Sequence, residues 1–399
     1  MEDITLTQDQ QQALDSMISW YNEKDRPYFI LSGYAGTGKT FLINQLAFNS
    51  LKLKADQVAF CTPTGKAATV LIQSGVLKAS TIHRLIYTPK KVKREKLIDG
   101  KIEMVEEVIF IKNDSISQTL KLVVVDEISM VNKEIFDDLL SFNIPILCCG
   151  DGAQLPPVNG EYTKLLERPD ALLTQIIRQK EGSKIIEIAD QIRQGKRLEY
   201  GDFGEVKILE RSSLTEQDII EMMLSVDQVL CGKNTTRNYL NDIYRETLGI
   251  TSVLPVKGEK LICTNNNWMV ALDKEENYYL VNGMVGIIED DMSNTKSRVA
   301  RISFKVDFLD EFKRDLLVDK GIFETDEYYF DRSHRVGSPK DLEQINRFEF
   351  GYAISVHKSQ GSQFDSVLVF DESRVFGVDR FKWLYTAATR AKNKLIILR

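Results

Sequence analysis

The chain is poor in the residues that build covalent or metal cross-links. Among its 399 residues are five cysteines and three histidines. Cys61, Cys148, Cys149, Cys231 and Cys263 show no C-x-x-C spacing. That pattern argues against a zinc ribbon or a disulfide framework, and for buried apolar use in a reducing compartment. His83, His334 and His357 are too dispersed to suggest a metal site. No apolar run approaches the ~18 residues that a bilayer span needs. The segment Met1–Thr5 has neither a basic region nor an apolar core, so no secretory leader is read there and a cytoplasmic setting is expected. An excess of positive charge is missing too: net charge is −6 and the pI about 5.4. That balance weighs mildly against nucleic acid as a partner, while leaving room for a basic groove on an acidic body. There is no internal repeat and no low-complexity tract.

What is present is a phosphate-binding pattern. Gly33-Tyr34-Ala35-Gly36-Thr37-Gly38-Lys39-Thr40 fits G-x-x-x-x-G-K-[ST] without a mismatch. The apolar run Tyr28-Phe29-Ile30-Leu31 before it reads as a strand, and Phe41–Leu46 after it as a helix. Glycines let backbone N–H groups turn toward a triphosphate, and a helix N-terminus favours negative charge. In that setting Lys39 reaches the β- and γ-phosphates and the Thr40 hydroxyl sits on Mg²⁺. Leu122–Val125 reads as a second buried strand ending in Asp126 and Glu127. After a P-loop this predicts Asp126 as a Mg²⁺ ligand and Glu127 as the base for an attacking water. A third strand, within 144–149, runs into Gly150-Asp151-Gly152-Ala153-Gln154-Leu155-Pro156-Pro157, where Gln154 suits sensing of a γ-phosphate or its water. Val58–Cys61 completes a predicted parallel sheet, whose ligands belong at the strands' carboxyl ends.

Thr7 is expected to cap a helix within 4–26. Residues 87–119 interrupt the α/β rhythm: Asp99-Gly100 is a hairpin turn signal, and 87–101 carries six basic residues against two acidic. An inserted β-hairpin with a cationic side follows. A second α/β unit is expected, with a helix over 183–194 and strands at 227–231, 260–264 and 394–398. Residues 278–288 read as strand, Asn-Gly turn, strand, and 293–345 as a small β-rich insert.

The ordered motifs resemble the Pif1/RecD-like group of superfamily 1B helicases, in the form found in T4-like phages, over nearly the whole chain. Leu6-Thr7-Gln8-Asp9-Gln10 resembles the Q motif, and 33–40 motif I. Cys61–Ala68 resembles motif Ia, Ser80–Leu85 motif Ib, 123–130 motif II and 148–158 motif III. Leu173–Gln179 resembles motif IV, Ser355–Phe364 motif V and Leu384–Lys392 motif VI.

The resemblance implies ATP and Mg²⁺ as cofactors. Gln10, Gly33, Ala35, Gly36, Thr37, Gly38, Lys39 and Thr40 would bind ATP. Lys39, Asp126, Glu127, Gln154, Arg178 and Arg390 would be catalytic, the two arginines as fingers on the transferring phosphoryl group. Thr62, Pro63, Thr64, Lys66, Thr81, His83, His357 and Lys358 would hold DNA through its backbone. Trp268, Tyr239, Phe350 and Tyr352 are stacking candidates, although core positions suit them better.

The implied fold is α/β. It has a RecA-like core 1A (1–86 and 120–180), a hairpin pin 1B (87–119), a core 2A (181–292 and 346–399) and an SH3-like insert 2B (293–345). The implied activity is 5′→3′ translocation with strand separation at the pin, by a monomer acting on single-stranded and forked duplex DNA. A single-strand-binding protein and replication or recombination proteins would be partners, in the host cytoplasm if the origin is viral. The family often places an aromatic at the pin tip. None flanks Asp99-Gly100; Leu97, Ile98 and Ile102 are the apolar candidates, and Phe110 is the nearest aromatic. Two other readings stand beside this one: an ATP-driven translocase that displaces bound proteins, and an RNA-directed superfamily 1 enzyme.

Overall fold

The computed structural model describes residues 6–98, 101–156, 164–175, 183–273, 278–293, 298–307, 309–324 and 345–399. The chain divides into two compact units. One comprises Met1–Thr88, Lys112–Glu210 and Gln360–Arg399; the other comprises Pro89–Ile111 and Arg211–Ser359.

The first unit is built on a parallel six-stranded sheet. Its order is Ala79–Thr81, Val58–Thr62, Leu122–Val125, Ile146–Gly150, Tyr28–Gly33 and Ala171–Leu173. Side chains alternate between the faces of a strand, so an apolar run serves two cores. Phe29, Leu31, Val124 and Leu147 pack with Met17 and Trp20 of the helix Gln8–Glu23. Ile30, Val123, Val125 and Ile146 pack on the other side with Phe136 and Leu139 of the helix Lys133–Leu140. Thr7 caps the first helix, as the sequence predicts, and the structure adds a capping box with Gln10. The same unit holds a second parallel set, in which Ala391–Leu398 lies between Val206–Leu209 and Phe364–Phe370. The helices Lys184–Arg193 and Arg380–Ala388 belong here as well.

In the second unit Gln228–Cys231 pairs in parallel with Ala353–Ser355. The other main sheet is antiparallel, in the order Lys313–Asp319, Val299–Val306, Val285–Ile288, Lys260–Cys263, Phe348–Phe350. Two expectations are corrected by it. Lys260–Cys263 is a strand of this antiparallel sheet and not of the α/β core; a four-residue apolar run fits either. The strands within 278–288 do not form a hairpin with each other. Gly283 turns the chain at φ 88°, but Tyr278–Leu280 pairs with Asn267–Asp273 while Val285–Ile288 pairs with Lys260–Cys263. Gly286 permits the further pairing of Val285–Ile288 with Val299–Val306, because a Cβ there would stand 2.1 Å from the Lys305 carbonyl oxygen.

The expected hairpin is formed by Tyr87–Ile98 and Lys101–Lys112. Its turn, Asp99-Gly100, and the side chains of Leu97, Ile98 and Ile102 lie outside the described residues; Phe110 is exposed. All five cysteines are free and buried. Burial pushes the Cys61 and Cys263 thiols up to about 12. Among the described residues no helix is long and apolar enough to cross a membrane. The architecture is α/β, with two RecA-like parallel sets of strands, an inserted β-hairpin and a small antiparallel β insert.

Candidate nucleotide site

Parallel strands end on one edge of their sheet, and its order sets three of those ends in a row. Tyr28–Gly33 delivers the P-loop, its neighbour Ile146–Gly150 delivers Asp151, and Leu122–Val125 delivers Asp126 and Glu127. Neighbouring strands lie ~4.8 Å apart, so these groups converge without any long connection.

The P-loop passes through left-handed backbone at Gly36 (φ 81°) and Gly38 (φ 80°), which glycine allows at little cost. Gly38 then opens the helix Lys39–Asn44. A Cβ on Gly33 would stand 2.7 Å from Thr37 Oγ1, so no side chain fits there. Lys39 Nζ donates to the carbonyl oxygens of Gly33 (2.7 Å) and Tyr34 (3.1 Å). Thr40 is half-buried in the first helical turn. Gln10 is buried and donates through Nε2 to the Thr37 carbonyl at 3.2 Å, so it braces the loop from behind. The Ala35 amide donates to the Tyr385 hydroxyl at 3.5 Å.

Asp126 and Glu127 form a half-buried acid pair. The Glu127 amide donates to Asp126 Oδ1 at 2.9 Å, and burial holds the Asp126 carboxyl above its usual range against the pull of Lys39. Glu127 takes a left-handed conformation (φ 56°, ψ 40°), rare for a residue with a side chain. Burial first, and the Asp126 charge second, push Glu127 up to about 7, with Arg390 and Lys39 opposing. A base poised near neutrality suits proton abstraction from water. If Glu127 serves as that base, it must be ionised, so turnover should rise with pH through about 7. A pH profile of ATP hydrolysis in the wild type and in Glu127→Gln checks this: the limb should vanish in the variant.

Arg390 is buried and donates to the Thr386 carbonyl (3.0 Å), the Ser362 carbonyl (3.0 Å) and Thr389 Oγ1 (3.1 Å). Burial lowers its pKa, while Glu127 and Asp151 act the other way, so the guanidinium lies within charge range of both acids. Gln154 is buried, donates to Asp151 Oδ2 at 3.4 Å, and among the described residues has no hydrogen-bond partner at Oε1. An orphaned buried acceptor is uncommon and suits a site that takes a ligand or an ordered water. Arg178 and Pro157 lie outside the described residues.

The residues expected to hold DNA fall in both units. In the first, Thr62 is buried and donates to the Thr64 carbonyl (2.7 Å). Thr64 and Thr81 cap the helices Gly65–Gln73 and Ile82–Ile86. Pro63 lies between Thr62 and Thr64 in the chain, Lys66 stands 5.7 Å over the Phe364 ring, and His83 packs on Tyr87 at 5.3 Å. In the second, burial lowers His357, and Lys358 Nζ lies 2.6 Å from Glu349 Oε2. Tyr352 stacks on Tyr244 at 4.2 Å and Phe350 packs beneath Arg245, so both are core; Tyr239 is exposed. The Trp268 side chain lies outside the described residues.

Sequence reasoning missed Asp151, Tyr385 and Arg193. Asp151 is a buried acid at a strand end, a position the motif spacing already offered. Arg193 stacks 4.2 Å over the Tyr34 ring and donates to its hydroxyl at 2.8 Å. Nothing local in the sequence marks that pair. Both line a cavity of about 490 Å³ on the P-loop's flank, together with Ala35, Gly36, Tyr385 and Lys392.

A glycine-lined loop feeding a helix, beside a strand that ends in two half-buried acids, defines a P-loop phosphohydrolase. Residues 5–211 match the family described as an AAA domain, and residues 350–398 match a UvrD-like helicase C-terminal domain. The chain belongs to the AAA-domain family, and its relatives include proteins named as Pif1 and RecD2 DNA helicases. The ATP-dependent DNA helicase Pif1 of Campylobacter jejuni is 26% identical over 416 residues, covering 91% of this chain and 86% of that protein. The ATP-dependent RecD2 DNA helicase of Deinococcus radiodurans is 25% identical over 395 residues, covering 92% of this chain but 46% of the relative. Among solved structures, a Pif1 helicase from Bacteroides in complex with ADP-AlF3 and ssDNA superposes with a TM-score of 0.54 at 18% identity, over 99% of this chain and 92% of the other. At that identity the likeness is one of fold.

Proposed function

We propose that this chain is an ATP-dependent DNA helicase that moves 5′→3′ along single-stranded DNA and separates a duplex at its β-hairpin. The observation that carries the reading is the buried Arg390 within charge range of Glu127, beside a P-loop. The backbone amides of Gly33–Thr40 hold the triphosphate, and Lys39 exchanges its carbonyl partners for the β- and γ-phosphates. Thr40 and Asp126 would hold Mg²⁺; the half-buried Asp126 carboxylate at a strand end fits that role, and the ion when bound neutralises phosphate charge. Glu127 takes the proton of the attacking water, Gln154 Oε1 orients it, and Arg390, with Arg178 as a second candidate finger, stabilises the transferring phosphoryl group. ATP can drive movement only by binding one conformation better than another.

The division into 1A (1–86, 120–180), 1B (87–119), 2A (181–292, 346–399) and an SH3-like 2B (293–345) is part of the proposal. So are backbone contacts from Thr62, Pro63, Thr64, Lys66, Thr81, His83, His357 and Lys358. The setting is a monomer in the cytoplasm, acting with a single-strand-binding protein in replication, recombination or repair, as a phage helicase of the Dda type would. One observation supports a second reading, a translocase that displaces proteins with little strand separation: no aromatic flanks the hairpin turn.

Strand separation on duplexes with only a 5′ or only a 3′ single-stranded tail tests both. ATP-dependent unwinding of the 5′-tailed substrate alone, lost in Lys39→Ala, is the expected result. DNA-stimulated hydrolysis without unwinding of either would favour the translocase. Unwinding of the 3′-tailed substrate alone would reverse the polarity.

A further inference from the structure

Asp151 is a fully buried carboxylate that the roles above leave unused. It accepts from the Ala153 amide (3.0 Å), from Gln154 Nε2 (3.4 Å) and from the Tyr385 hydroxyl (2.8 Å). The same hydroxyl accepts from the P-loop amide of Ala35. Tyr385 is five residues before Arg390 in the chain, and its neighbour Thr386 accepts through Oγ1 from the Leu155 amide at 3.0 Å. Gln360 Nε2 donates to the Leu155 carbonyl at 3.2 Å. Gln154 is therefore held between two residues, Asp151 and Leu155, that are each bonded to the Arg380–Ala388 helix.

We infer that the Tyr385–Asp151 hydrogen bond is the positioning link that keeps Gln154 and Arg390 in register with the P-loop during ATP hydrolysis. The inference rests on the proposed hydrolysis and adds two positioning residues to it. Its logic is electrostatic. Asp151 lies within charge range of both Glu127 and Arg390. Left without its hydroxyl donor, the carboxylate would draw the Arg390 guanidinium to itself and away from a phosphoryl group. With the donor in place, one Asp151 oxygen is taken by Tyr385 and Gln154 and the other by Ala153. Hydrogen bonds to charged groups are the strong ones, and this one joins segments 234 residues apart.

The test is a double-mutant cycle on the full chain, read as DNA-stimulated ATP hydrolysis. Tyr385→Phe removes one oxygen and keeps the ring. It should lower kcat by roughly tenfold to a hundredfold, while KM for ATP moves less than about threefold. Asp151→Asn leaves no charge to draw Arg390, so it should lower kcat less, and the double variant should be no worse than Tyr385→Phe alone, because the two side chains act as one unit. If Asp151→Asn does not fold, Tyr385→Phe alone decides, through its kcat and its melting temperature. Wild-type kcat in Tyr385→Phe overturns the inference, as do single effects that multiply. A lower melting temperature with unchanged kcat per nucleotide-binding site also overturns it, since that is what a purely structural bond would produce. A wild type that hydrolyses ATP, is silenced by Lys39→Ala and is indifferent to Tyr385→Phe overturns this inference alone. A wild type that hydrolyses no ATP overturns the proposed function with it.

Discussion

Arg390→Ala should lower DNA-stimulated ATP turnover by roughly a thousandfold or more, the range in which arginine fingers act. The guanidinium is buried and always charged, and its three hydrogen bonds go to groups of its own unit, Thr386, Ser362 and Thr389. Neutral oxygens orient the fork without cancelling its charge. That charge is free to answer the negative charge that develops on a transferring phosphoryl group. Arg390→Lys separates charge from geometry: a lysine keeps the charge and loses the planar fork, so it should recover only part of the rate. Steady-state phosphate release measures both variants, and binding of a fluorescent ADP analogue shows whether ground-state affinity is kept. Loss of less than about tenfold in Arg390→Ala would move the finger role to Arg178.

Glu127→Gln should lower turnover by roughly a hundredfold to ten-thousandfold, the usual worth of a general base, while ATP still binds. The substitution has a second consequence of opposite sign. Burial and Asp126 raise the Glu127 carboxyl from 4.5 to about 7 in the folded chain. A raised carboxyl contributes stability below the unfolded value and loses it as pH rises through the folded one. The wild type therefore sheds stability between about pH 4.5 and 7 that the neutral amide keeps. Melting curves across that window should show Glu127→Gln gaining on the wild type as pH rises, even as its activity collapses. A variant that is both slower and less stable at pH 8 would mean that the carboxylate holds the fold and not the water.

The parts of the site that were legible in the sequence are those set by local rules. Glycine spacing, a strand before and a helix after announced the P-loop, and Thr7 ahead of a helical pattern announced the N-cap. The Asp126-Glu127 pair was legible because both acids follow one strand. The Asn282-Gly283 turn and its two flanking strands were legible, but turn chemistry says that the chain reverses and does not say which strand it meets next. Gly286 against Lys305 permits the meeting with Val299–Val306, and it is a tertiary contact. Lys260–Cys263 misled because four apolar residues carry no record of the direction of their partner. The Tyr385–Asp151 bond and the Arg193–Tyr34 stack were out of reach for a related reason: each joins segments that only the folded sheet order brings together.

The burial of every cysteine turns an old constraint into an experimental handle. With no native thiol at the surface, a folded sample should stay dark to maleimide dyes. A single cysteine placed on the Tyr87–Ile98 arm and another on an exposed position of the first unit would then carry the only two fluorophores. Energy transfer between them would follow the hairpin through each cycle of nucleotide addition without first stripping the wild-type chain of its sulfur. The native thiols would keep a use of their own, reacting only when the cores open and so timing global unfolding.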